Sequence, residues 1–156
     1  MQHRFDAIVL AGYDRGRPHP LADTQGEPHK ALIQVAGRPM IAYVIQALVQ
    51  SALIDRIVVV GLEPLASLDE LAQSGDCDLH YLPNQPSLFA NAVQGFQLLG
   101  RVQDPQRHAL LISADVPLLT GGVGAAFPPA CRPYDPGAYW GIVERAVMGM
   151  TFPGSR

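Results

Sequence analysis

From Phe5 to Ser113, short apolar runs alternate with amphipathic stretches. Phe5 to Ala11 (FDAIVLA) is apolar at nearly every position and is closed by Gly12, as expected for a strand buried on both faces. Ile57 to Val60 (IVVV), closed by Gly61, predicts a second such strand, Asp78 to Leu82 a third and Ala109 to Ser113 a fourth. Helix patterns lie between them. Ile41, Val44, Ile45, Leu48 and Val49 recur at spacings of three and four, with Pro39 suited to the first helical position and an end near Ser51. Pro64 opens a second helix carrying Leu65, Leu68, Leu71 and Ala72, with Gly75 as its stop signal. Ser87 is the expected N-cap of a third, with Ala90, Val93 and Leu98 inward and Gly100 just past its end. Ala31 to Val35 reads as a brief extended segment, followed by a turn at Gly37.

Four strand signals alternating with helix signals predict an α/β fold, a Rossmann-like three-layer α/β/α arrangement on a mostly parallel sheet. Tyr13 to His29 is a long polar loop with three prolines and two glycines. Loops of that length inside compact domains are usually functional or disordered. After Pro117 the pattern decays: glycines and prolines interrupt it, and Tyr139 to Val143 carries only a weak strand signal. The last residues, Phe152 to Arg156, include no capped final element. The expectation is one domain over residues 1–156 whose C-terminal part is missing.

Composition narrows the classes. With 48% hydrophobic and 16% charged residues in 156, the chain has the balance of a folded domain and not of a disordered one. A net charge of −3 disfavours a nucleic-acid backbone as the main partner, whereas a small anion needs only a few local cations. Cys77 and Cys131 lack metal-binding spacing and read as reduced thiols in a cytoplasmic protein. Gln46, Gln50 and Asp55 interrupt the longest apolar stretch, so no membrane span is expected. The five histidines show no ligand spacing, and GxSxG, GxGxxG and GxxxxGK[ST] patterns are missing where they would count.

In an open parallel sheet, ligands bind beyond the carboxyl ends of the strands. Gly12 and the loop ending in His29 and Lys30 follow the first strand, Gly61 and Glu63 the second. Asn84, Gln85 and Ser87 follow the third, and Asp115 the fourth. Gly12 lets a ligand approach the backbone, and Arg15, Arg17 and Lys30 suit phosphate oxygens. Asp115 suits Mg²⁺, a hard cation held by one or two carboxylates plus substrate phosphates. The plainer alternatives are a glycine that merely turns the chain, solvated cations, and an aspartate that caps a turn before Pro117.

Three segments together resemble the molybdenum-cofactor guanylyltransferase-like (MobA-like) NTP transferase superfamily: AIVLAG at Ala7 to Gly12, PHKALIQVAGRPMIAYVIQAL at Pro28 to Leu48, and ISADVPLL at Ile112 to Leu119. The resemblance implies a nucleotide-diphospho-sugar transferase-like fold. It implies triphosphate binding by Gly12 with Leu10, Ala11, Arg15 and Arg17 around it, and phosphate contact by Lys30. Magnesium binding falls on Asp115 and base recognition on Asn84, Ser87 and Asn91. The implied reaction moves a nucleoside monophosphate from a magnesium nucleoside triphosphate to a phosphorylated small-molecule acceptor, releasing pyrophosphate. Lys30 and Asp115 would be its catalytic pair. Tyr13 departs from the family, which commonly has a second glycine there. The alternative is an incomplete nucleotide-binding or interaction module of the same fold. A glycosyltransferase would use an Asp-x-Asp site, but Asp76-Cys77-Asp78 precedes its strand and lies at the wrong end.

Overall fold

The computed structural model describes residues 5–13, 26–27, 29–100, 108–123 and 126. The chain divides into two compact units, Met1–Ala125 and Ala126–Arg156, and every described residue except Ala126 belongs to the first. The strand signal at Tyr139 to Val143 and Cys131 lie outside the described residues.

Strand β1 (Phe5–Leu10) is followed by a 3-10 turn (Lys30–Leu32) and a small antiparallel hairpin, β2 (Gln34–Val35) and β3 (Arg38–Pro39). Then come helix α1 (Met40–Gln50), β4 (Ile54–Val60), α2 (Ala66–Gln73), β5 (Asp78–Leu82), α3 (Leu88–Leu98) and β6 (Ala109–Ser113). The main sheet has the order β5-β4-β1-β6, with each pairing parallel. Successive residues of the central strands point to opposite faces. Ala7, Val9, Ile57 and Val59 pack with Ile41, Val44, Ile45 and Leu48 of α1 and Leu68 and Ala72 of α2. Ile8, Val58 and Val60 pack on the other face with Leu99 and Phe96 at the end of α3. This is the expected three-layer α/β/α fold. Each fully buried aliphatic side chain contributes roughly 1.5–3 kcal/mol of transfer free energy, so this core fixes where the strand ends lie.

Several local expectations shift. Ala31 to Val35 is not extended throughout: Lys30–Leu32 is a 3-10 turn and only Gln34–Val35 is strand. Ala36 (φ 48) and Gly37 (φ 78) then form the two-residue turn, both left-handed as strand twist favours. Pro39 is the N-cap of α1 and not its first residue, and the Met40 amide donates to the Ile33 carbonyl at 3.0 Å. Gly75 does not stop α2 by turning left-handed, since Asp76 holds that conformation (φ 56). A side chain on Gly75 would instead run into Val49 of α1.

The face of α3 also differs from expectation. Ser87 is its N-cap, accepting from the Ala90 amide at 3.1 Å, and Gly100 (φ 67) follows it. The buried residues, however, are Asn91, Ala92 and Gly95; Ala90 and Val93 are half-buried and Leu98 is 45% exposed. The helix lies so close to β1 that a Cβ on Gly95 would sit 2.7 Å from Ile8 Cγ2. Such an approach selects small residues for the inward face.

At the amino ends of the strands, the fully buried Asp6 binds Arg56 through two hydrogen bonds of 3.0 and 2.7 Å. Arg56 also donates to the Leu99 carbonyl at 3.2 Å, tying β1, β4 and the end of α3 together. Among the described residues, no helix is long and apolar enough to cross a membrane.

Candidate functional site

The chain passes from β1 to β4 to β5 in one direction, then crosses to the other side of β1 for β6. Strand order therefore reverses between β1 and β6, and in an open parallel sheet such a switch point marks the crevice where ligands bind at the carboxyl ends. Backbone pairing continues one residue past the strands. Ala11 donates to Val60 O at 2.8 Å, Gly61 to Leu82 O at 2.8 Å and Ala114 to Leu10 O at 3.0 Å. Gly12, Gly61, Asn84 and Asp115 leave the sheet from this common edge.

Lys30 and Asp115, separated by 85 positions in the chain, meet here as an ion pair. Asp115 Oδ2 accepts from the Lys30 ammonium, and Oδ1 accepts from the Ser113 hydroxyl. Burial pushes the Asp115 carboxyl up, but the Lys30 and Ser113 hydrogen bonds and the Lys30 charge outweigh it and hold it below 3.8. Asp115 is thus an anion at neutral pH. The two side chains are 42% and 25% exposed, so solvent and small solutes reach the pair, and it adds little stability. Ser113 was missed in the sequence, although it lies two residues before Asp115 at a strand end, where period two puts both side chains on one face.

Gly12 is packed on two sides. A Cβ there would sit 2.5 Å from Asn84 Oδ1 and would also strike Asn91 Nδ2. Gly61, at φ +101, faces it from β4, and a Cβ on Gly61 would lie 2.5 Å from Gly12 N. The requirement for glycine at position 12 thus has a cause inside the protein, beside the expected approach of a ligand. Asn91 Nδ2 donates to Asn84 Oδ1 at 3.1 Å, and Asn84 Nδ2 donates to the Tyr13 carbonyl at 3.0 Å. Asn91 Oδ1 accepts from the Gln85 amide at 2.8 Å. Tyr13 places its ring centroid 4.1 Å from that of His29.

The structure therefore brings Gly12, Lys30, Asn84, Asn91 and Asp115 to one sheet edge. Leu10 and Ala11 contribute backbone ties there, while Ala11 is buried and Leu10 packs partly buried on the α3 side. Ser87 spends its oxygen on the α3 cap. Arg15 and Arg17 lie outside the described residues, as do Tyr139, Trp140 and Glu144. Among the described residues, no group of three or more His, Cys, Asp or Glu side chains converges to hold a metal. Asp115 is a single ionised oxygen donor beside a cation.

The model of the MobA-like NTP transferase domain matches residues 7–146 of the sequence. The chain belongs to the MobA-like NTP transferase family. Among solved structures, this MobA-like domain is similar to a hypothetical transferase from Thermus thermophilus, with 26% identity and a TM-score of 0.59 over 83% of this chain and 48% of that one. It shares its fold with a 4-diphosphocytidyl-2C-methyl-D-erythritol synthase from Anaerococcus prevotii DSM 20548, at 17% identity and a TM-score of 0.59 over 85% and 52% of the two chains. It also shares its fold with a CMP:2-keto-3-deoxy-manno-octonic acid synthetase complexed with CTP, at 17% identity and a TM-score of 0.55 over 83% and 47%. The MobA-like chain spans about half the length of these structures. No curated protein matches it.

Proposed function

We propose that this chain binds a magnesium nucleoside triphosphate at the crevice between β1 and β6 and supports transfer of the nucleoside monophosphate to a phosphorylated small-molecule acceptor, with pyrophosphate leaving. The observation that carries the reading is the meeting of Lys30 and Asp115 beside Gly12 at the switch in strand order. Two proteins that share its fold, a 4-diphosphocytidyl-2C-methyl-D-erythritol synthase and a CMP:2-keto-3-deoxy-manno-octonic acid synthetase complexed with CTP, support it.

Lys30 supplies a compact cation to an α- or β-phosphate oxygen, stabilising the charge that grows on it during in-line attack. Asp115 fits magnesium as a hard, ionised oxygen donor, and one carboxylate suffices where phosphate oxygens complete the shell. When bound, magnesium would neutralise phosphate charge and orient the leaving pyrophosphate. The Lys30–Asp115 pair then has to open, each partner exchanging the other for substrate. Since the pair is half-exposed and weak, this costs little. Gly12 and the backbone around it set the position of the polyphosphate, so catalysis rests on positioning and charge, with no covalent intermediate on the protein.

Tyr13, standing where the family commonly has a second glycine, favours a second reading, a module that holds a nucleotide without turning it over. Thermal shift of the chain against ATP, GTP, CTP and UTP, each with and without Mg²⁺, tests the binding both readings share. A magnesium-dependent rise with one nucleotide is expected and identifies the base. No rise with any of the four counts against both. Pyrophosphate release with phosphorylated acceptors separates transfer from binding.

A further inference from the structure

We propose that Asn91 and Asn84 are positioning residues for the phosphate-binding backbone, and not readers of the base. Resting on the nucleotide reading above, this assigns them a different ligand moiety from the one the family resemblance implies. Asn91 is 3% exposed and lies on the sheet-facing side of α3, one turn before Gly95. Its oxygen holds the Gln85 amide at 2.8 Å and its nitrogen holds Asn84 at 3.1 Å, so both ends of the carboxamide are spent inside the protein. Asn84 relays that contact: its oxygen faces Asn91 and its nitrogen donates to the Tyr13 carbonyl at 3.0 Å.

The two amides lie against Gly12, with Gly61 on its other side. The segment between Ala11 and Tyr13 is therefore gripped by backbone from β4 and by a two-asparagine relay from α3 and the end of β5. A carboxamide suits this task because it donates and accepts at once. The isosteric Asn91→Asp keeps the acceptor for Gln85 but removes the donor to Asn84 Oδ1 and sets a carboxylate against it. Asn84, being exposed, can be cut to alanine with little risk to the fold.

The test titrates two probes into the full chain: the magnesium nucleotide selected by thermal shift, and magnesium tripolyphosphate, which has no base. Asn91→Asp and Asn84→Ala should weaken both probes by the same factor, on the order of 5- to 10-fold for one lost hydrogen bond. The double variant should be no worse than Asn84→Ala alone, because the two residues act through one relay. Loss of nucleotide affinity with tripolyphosphate binding intact would show base reading and overturn the proposal.

Backbone order parameters give a readout that needs no ligand. In both variants Gly12 and Tyr13 should fall from about 0.85 toward 0.6, while Val9 in β1 stays rigid. Unchanged order at Gly12 and Tyr13 overturns the proposal even if neither probe binds, whereas lost order without binding in the wild type counts against the nucleotide reading alone.

Discussion

Replacing Gly95 by alanine sets two local effects against each other. Alanine is the better helix residue by about 1 kcal/mol, and Gly95 has no left-handed backbone to forbid a side chain. The added Cβ, however, would sit 2.7, 3.1 and 3.2 Å from three atoms of Ile8. Ile8 is fully buried in β1, a central strand, so it has little room to yield. Overpacking of this kind costs roughly 1–3 kcal/mol, and the close approach at Cγ2 places this case in the upper half of that range. The net effect expected is a loss of about 1–2 kcal/mol. Ile8→Ala by itself should cost about 2–5 kcal/mol through the cavity it leaves. In that background, Gly95→Ala meets open space, and the helix preference alone remains, so the same substitution should stabilise by about 1 kcal/mol. Urea unfolding of the four proteins measures the reversal as opposite shifts in midpoint at constant slope. A neutral or stabilising Gly95→Ala in the wild-type background would refute the close approach of α3 to β1. That approach also carries Asn91 to Gly12, so the variant should weaken nucleotide binding as well.

Gly61→Ala combines a left-handed backbone (φ +101) with a Cβ 2.5 Å from Gly12 N, and should cost at least about 2 kcal/mol; a melting temperature equal to wild type would contradict the packed strand ends. Tyr81 is raised to about 12, chiefly by burial, with its bond to Asp69 (3.0 Å) adding to the rise and its contact with Leu65 opposing it. Because the folded value exceeds the unfolded one of 10.0, its contribution is full below pH 10 and is lost as pH rises toward 12. The stability gap between wild type and Tyr81→Phe should therefore close over that window, and a gap that stays constant would show that Tyr81 ionises as it does unfolded. For Asp115 the sign is opposite: its folded value lies below 3.8, so its contribution is full above that pH and is lost as pH falls through the folded value. Chemical denaturation of wild type and Asp115→Asn should converge only in acid below 3.8, and convergence at higher pH would mean that Lys30 does not hold the carboxylate.

The parts of the fold that were legible in sequence are those where hydrophobicity itself marks the buried side. The runs in β1 and β4 are apolar because both faces are covered, and α1 shows its inward face through Ile41, Val44, Ile45 and Leu48. Helix α3 misled because its buried positions are the small or polar Asn91, Ala92 and Gly95, with Phe96 packing on the sheet only near its end. Two of its large apolar residues, Leu88 and Phe89 in the first turn, are instead 70% and 78% exposed. Gly75 misled for the same reason: it is small for a neighbour's sake and not for the chain's own turn. In the site, the rule that ligands gather at strand ends brought Gly12, Asn84 and Asp115 together, but no spacing in the chain couples Lys30 to Asp115. That pairing depends on β6 lying beside β1. The roles of Asn84 and Asn91 depend on which amide faces which carbonyl, and sequence carries no such information.

Calorimetric titration of the chain with its preferred nucleotide, with and without Mg²⁺, in wild type, Lys30→Ala and Asp115→Ala tests the central claim most directly. Both variants should stay folded, since an exposed ion pair is worth at most about 1 kcal/mol. The expected result is magnesium-dependent binding in wild type, loss of the magnesium dependence in Asp115→Ala, and affinity at least about tenfold weaker in Lys30→Ala, the equivalent of roughly 1.4 kcal/mol. Magnesium-dependent binding that survives unchanged in both variants would contradict the account and move the nucleotide away from the β1–β6 crevice.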